Sequence, residues 1–239
     1  MQSRRARLDR FISCRMGISR RDVRQLLIHG RIAVDNCTAS DMNQPIEQFS
    51  RVTLDNEVLQ ANTALYIMLN KPAGVVSATR DVQHKTVVDL LNTEGKEDLH
   101  IVGRLDFNST GLLLLTNDGA WSRRLTSPQY KIAKNYLVTV ENPITADYIQ
   151  AFAQGMHFPY EDIQTQPAQL HISSQFTAEV TLTEGRYHQI KRMFGRFQNP
   201  VLALHRTSVG NIVLDPSLAP GESRGLTDTE IGCFQASNN

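Results

Sequence analysis

The stretch Gly103-Arg104-Leu105-Asp106-Phe107-Asn108-Ser109-Thr110-Gly111-Leu112-Leu113-Leu114-Leu115-Thr116-Asn117-Asp118-Gly119 constrains this chain more than any other. Its four consecutive leucines, bounded by Gly111 and by the Asn117-Asp118-Gly119 turn signal, read as a fully apolar strand returning the chain to a core. Just ahead of them a strand at Ile101-Val102 delivers Asp106 into a short polar loop. A carboxylate held this way is fixed by the scaffold yet reachable, which suits catalysis. Aspartate also caps turns through its own backbone, so the residues alone leave both roles open.

Around this stretch the pattern predicts strands at Tyr66 to Leu69, Gly74 to Ser77, Tyr136 to Val140, Ala178 to Leu182 and Ile212 to Leu214. Helices are predicted at Val87 to Leu91, Trp121 to Leu125, Thr145 to Gln154 and His188 to Phe197. Strands and helices do not alternate regularly, so an α+β body on a mixed, largely antiparallel sheet is expected. The polar, small-residue segment 61–64 separates this body, residues 65–239, from an N-terminal domain at 1–60.

In that domain Leu8, Phe11 and Ile12 fall at helical spacing before Gly17, and Ser19 caps a second helix with Val23, Leu26 and Leu27 inward. Strands follow at Ile32-Ala33-Val34 and Arg51 to Leu54, each ending in an Asp-Asn turn. Charge singles the domain out. Its first 31 residues hold nine arginines against two aspartates, a net of +7 in a chain whose total is +1, which leaves −6 for the rest. Such asymmetry points to an anionic partner, with Arg20, Arg21 and Arg24 projecting from one small rigid surface.

Other signatures narrow the chemistry. The seven histidines show no metal-ligand spacing, and phosphate-binding glycine loops and nucleophile elbows are missing, so neither metal nor cofactor is expected. Three scattered cysteines, Cys14, Cys37 and Cys233, read as reduced thiols of a cytoplasmic protein. No apolar run approaches the roughly 18 residues that span a bilayer, and no secretory signal is expected. The run Glu184-Gly185-Arg186-Tyr187-His188-Gln189-Ile190-Lys191-Arg192-Met193-Phe194 sets a sharp turn before a basic helix, fit for a phosphate or a buried carboxylate, or merely solvated.

The Asp106 and Lys191 stretches together resemble the RsuA family of bacterial pseudouridine synthases. Met68 to Gly74, Lys134 to Val138, Leu204-His205-Arg206 and Pro220 to Thr227 lie where that family would place them, and residues 7–35 are similar to an S4 RNA-binding domain. Asn36 stands where such domains often carry glycine, and asparagine tolerates the same left-handed turn.

The resemblance implies isomerisation of a uridine in ribosomal RNA, 16S rRNA by the whole-chain similarity, although relatives acting on 23S rRNA share the motifs. A non-catalytic S4-type RNA-binding or assembly factor is the alternative from another class. By analogy Asp106 is the essential carboxylate, Tyr136 stacks on the uracil, and Lys191 is the ion-pair partner, with Arg186 second. A cation beside a carboxylate favours its ionised form. Arg104 braces the loop or holds a phosphate, and Asn70, Lys71, Arg186 and Arg192 join the RNA-binding set with Arg7, Arg10, Arg20, Arg21, Arg24 and Arg31. The implied partner is 16S rRNA within a small-subunit assembly intermediate, met by a monomer in the cytoplasm without cofactor, metal or membrane.

Overall fold

A computed structural model describes residues 6–234. Contacts divide the chain between Ala64 and Leu65 into two compact units. The first opens with β1 (Ala6–Arg7), α1 (Leu8–Met16) and α2 (Arg20–Ile28). Gly17, at φ 67°, stops α1 by returning its N–H to Ser13. Ser19 and Asp22 form a reciprocal capping box that starts α2. Leu8, Ile12, Val23 and Leu27 are buried from these helices against β2 (Ile32–Val34), β3 (Cys37–Thr38), β4 (Pro45–Ile46), β5 (Val52–Leu54) and β6 (Glu57–Gln60). Four strands pair in the order β3-β2-β5-β6, and β1 pairs with β4. Two-residue turns join β2 to β3 and β5 to β6. Asp35, Asn36, Asp55 and Asn56 all take φ between 50° and 70° there, the doubly left-handed geometry that suits a tight hairpin.

The second unit contains β7 (Tyr66–Lys71), β8 (His100–Val102), β9 (Thr110–Thr116), α3 (Gly119–Thr126), β10 (Lys134–Val140) and α4 (Ala146–Gln154). It continues with β11 (His157–Phe158), β12 (Ile163–Gln164), β13 (Gln169–Ser174), β14 (Thr177–Leu182), α5 (Gln189–Gly195) and β15 (Val201–Val209). Last come β16 (Ile212–Val213), β17 (Ser223–Gly225) and α6 (Asp228–Gly232). One sheet runs β13-β14-β10-β15-β9-β7-β17, with β8 added to β9 and β16 to β15. Every pairing in it is antiparallel except β9 with β15. The body is thus α+β on a mixed, largely antiparallel sheet.

The leucine run explains why this sheet needs cover on both faces. Leu113 and Leu115 enter a core with Phe152 of α4 and Met193 and Phe194 of α5. Leu112 and Leu114 enter another with Trp121 and Leu125 of α3. All four are fully buried, so successive side chains pointing to opposite faces each find a packed layer. No helix among the described residues is long and apolar enough to cross a membrane.

Two expected elements differ. Val87 to Leu91 is a turn, with Thr86 and Asp89 bonding each other's side chains and backbone and Leu91 N–H reaching only Val88. Val87, Val88 and Leu91 are buried and Leu90 is partly so, but the segment is a single turn long. Gly74 to Ser77 makes an isolated bridge from Val76 to Thr86, and its remaining polar groups serve the Asp106 loop. Strand β15, in the middle of the sheet, is not signalled by the sequence. Its His205-Arg206-Thr207-Ser208 segment lacks the apolar signature of a core strand.

Candidate active site

The Asp106 loop spans the gap between β8 and β9 and is held by buried cations. Arg206, 1% exposed, donates from Nε to the Leu112 carbonyl at 2.8 Å and from Nη2 to the Gly103 carbonyl at 2.9 Å. It therefore clamps both ends of the loop. Lys71, fully buried, donates from Nζ to the carbonyls of Pro72 (2.9 Å), Phe107 (3.1 Å) and Ser109 (2.9 Å). Burial lowers its pKa to about 8, partly offset by the Asp106 carboxylate. Ser77 completes the set, donating from Oγ to Leu105 O and accepting from Leu105 N–H. These bonds satisfy loop carbonyls that would otherwise be stranded without water.

Gly111 makes the clamp possible. Parallel pairing places it opposite Arg206 of β15, where its φ is 98° and a Cβ would stand 2.3 Å from the Arg206 carbonyl oxygen. Only glycine lets the two backbones approach so closely.

Asp106 emerges from this frame 28% exposed, at a shallow cleft open to solvent. Lys191 of α5 brings Nζ to 3.4 Å from Asp106 Oδ2. His188 brings Nε2 to 3.4 Å from Oδ1, able to donate when that nitrogen carries a proton. Tyr136 on β10, nearly buried, adds an aromatic wall, and Arg104 and Arg186 line the same cleft. Such an arrangement presents a carboxylate, a cation and an imidazole around a space beside an aromatic ring. It can hold a flat ring and act on it as nucleophile or base. Among the described residues no group of three or more His, Cys, Asp or Glu side chains could hold a metal ion.

The expected RNA contacts divide sharply by environment. Asp106, Tyr136, Lys191, Arg104 and Arg186 come together, although Arg186 pairs with Glu184 at 2.9 Å rather than with Asp106. Asn70 and Lys71 do not face solvent: Asn70 donates to the Leu218 carbonyl, and Lys71 is committed to the loop, because both lie on an interior strand. Arg192 stacks its guanidinium 3.9 Å over the Phe158 ring and pairs with Glu161, fastening α5 to the β11–β12 hairpin. In the first unit Arg7 forks onto buried Asp9, Arg20 lies 3.7 Å from the same carboxylate, and Arg31 pairs with Asp55. Arg10, Arg21 and Arg24 are exposed with no ion pair among the described residues. Arg4 and Arg5 of the basic run lie outside the described residues.

His188 and Arg206 carry no signal of their roles in the sequence. Both lie in the stretches on which the resemblance rests, but only the tertiary contacts say what each touches.

Comparison with known proteins gives a consistent picture. The family described as RNA pseudouridylate synthase matches residues 65–195. The ribosomal small subunit pseudouridine synthase A of Pseudomonas aeruginosa is 53% identical, over 94% of this chain and 98% of its own. Its namesake in Escherichia coli K12 is 42% identical, again over 94% and 98%. A crystal structure of a pseudouridylate synthase matches with a TM-score of 0.70 at 37% identity, covering 96% of this chain and 99% of that one.

Proposed function

The chain belongs to the RNA pseudouridylate synthase family, and on that premise we propose that it converts a uridine of 16S ribosomal RNA to pseudouridine. The relatives named for the small ribosomal subunit, similar over nearly their whole length, support that choice of RNA. The site reading rests on one observation: Asp106, on a loop clamped by Arg206 and Lys71, opens into the cleft that Tyr136 walls.

The reaction breaks the bond from uracil N1 to ribose C1′ and joins C1′ to C5. The C5 proton leaves and N1 gains one, so no atoms or electrons need come from outside. Asp106 is the catalytic carboxylate, whether it attacks sugar or base or draws a ribose proton. Lys191 holds it in place by the 3.4 Å ion pair and offsets its charge against incoming phosphates. Tyr136 offers its ring to the extruded uracil. Arg104 and Arg186, at the cleft edge, are suited to phosphate.

Extruding the uridine costs a few kcal/mol of unstacking, which binding along the RNA must offset. The unit at 1–60, followed by the 61–64 linker, serves as an S4-type RNA-binding domain. Arg10, Arg21 and Arg24 are free to neutralise phosphates and release counterions. The protein meets its RNA as a monomer in the cytoplasm, within a small-subunit assembly intermediate.

Asp106→Asn, assayed on 16S and 23S transcripts and on small-subunit particles, tests the reading. Loss of pseudouridine formation with RNA binding kept is the expected result. Undiminished formation would remove Asp106 from catalysis, and a wild-type protein that modifies only 23S transcripts would overturn the substrate.

A further inference from the structure

Tyr187 is out of keeping with an ordinary surface residue. Its ring lies 3.9 Å from that of His188 at an interplanar angle of 18°, a parallel stack, yet the residue is 71% exposed. Its hydroxyl makes no hydrogen bond among the described residues. The stack is built on backbone that a histidine adopts at a cost, since His188 sits at φ 50° in the left-handed region as it caps α5. The same imidazole reaches 3.4 Å from Asp106. One ring thus joins the carboxylate to an exposed aromatic surface.

We propose that Tyr187, backed by His188, is a stacking platform for the nucleobase next to the target uridine. The inference rests on the reading of the Asp106 cleft as a uridine site. Drawing one nucleotide out of a stack deprives its neighbour of a partner, and an exposed aromatic face can replace that partner. The surroundings favour RNA as the occupant: Arg104, Arg186 and Lys191 line or border the same cleft and suit a phosphodiester chain. Because every base has a π face, the platform contributes affinity and position without reading base identity. His188 is the positioning residue, holding Tyr187 in register with Asp106.

The test uses the full-length protein and the small-subunit rRNA fragment that it binds, with equilibrium binding and turnover measured on the same samples. Tyr187→Ala should weaken binding and raise KM about 5- to 150-fold, the range of one lost base stack. At saturating RNA its kcat should stay within about twofold of wild type. Tyr187→Phe should match wild type, whereas Tyr187→Leu, apolar but without a π face, should behave like Tyr187→Ala. RNA abasic immediately 5′ or 3′ of the target should lose the same factor with wild type at one of the two positions. That RNA should lose nothing more with Tyr187→Ala. Wild-type affinity in Tyr187→Ala, a Leu variant as good as Phe, or losses that multiply would each overturn the platform. Failure of the wild type to form pseudouridine would instead refute the functional reading, and the binding measurements would still decide the platform.

Discussion

Replacing Arg206 by methionine asks whether the frame of the loop, rather than the Asp106 carboxylate alone, sets activity. Methionine keeps much of the buried volume and removes two charge-assisted hydrogen bonds, to Leu112 O at 2.8 Å and Gly103 O at 2.9 Å. Bonds of this kind contribute about 1.5–3 kcal/mol each, and two buried carbonyls would be left without a donor. Against this, a cation that faces carbonyls rather than a carboxylate no longer has to be desolvated, which returns part of the loss. The net expectation is about 3 kcal/mol of stability. For a body of this size that lowers Tm by about 6–12 °C.

The catalytic effect should be larger than the stability loss suggests. Both ends of the Asp106 loop are released, and a displacement of about 1 Å at a reacting group costs about 100-fold in rate. Pseudouridine formation should be measured well below the variant's own Tm, with circular dichroism showing the folded form. Arg206→Lys, which keeps the charge but not the fork, should fall between the two. A folded Arg206→Met with wild-type kcat and Tm would refute the claim that this clamp positions Asp106.

Three further outcomes follow from the same structure. Lys71 releases its proton near pH 8 in the folded chain, well below an ordinary lysine, so between these values the unfolded state binds more protons and the folded state gains stability as pH rises. Denaturation of wild type and Lys71→Met across that range should show the difference shifting in favour of wild type with pH, while wild-type turnover declines because a neutral amine has two donors for three carbonyls; a flat difference would contradict this. Ser19→Ala removes the side-chain half of the α2 capping box and should cost the first unit about 1 kcal/mol in urea unfolding, with no change expected if the cap is idle. Arg21→Gln with Arg24→Gln should reduce the slope of log affinity against log salt by about 0.7–0.9 for each phosphate that is no longer neutralised, and an unchanged slope would remove these residues from the RNA surface.

Local features are legible in the chain alone. Gly17 ends a helix, Ser19 starts one, and Asp35-Asn36 and Asp55-Asn56 turn hairpins, because each signal acts within a few residues of itself. The leucine run implies a buried strand for the same reason. Val87 to Leu91 is the instructive exception, since its apolar residues signal burial and a turn achieves that as well as a helix. The meeting of Asp106 with Lys191 is legible only through resemblance, as no periodicity links residues so far apart.

The fate of each cation belongs to the tertiary structure. On the sequence Lys71, Arg192 and Arg104 are equivalent positive charges, all expected to contact RNA, and Arg206 has no role assigned to it. In the fold Lys71 and Arg206 bind carbonyls, Arg192 binds Glu161 and the Phe158 face, and Arg104 remains at the cleft. The deciding event is the parallel pairing of β9 with β15, in which Thr110 and His205, 95 positions apart, become neighbours. That pairing carries Arg206 beneath the Asp106 loop, and it depends on Gly111 having no side chain to keep the strands apart. Short-range chemistry determined the caps, the hairpin turns and the buried leucine strand, and only resemblance singled out Asp106. Long-range backbone pairing determined which charges are buried to hold the Asp106 loop and which stay exposed, because burial is a property of neighbours that the chain acquires only on folding.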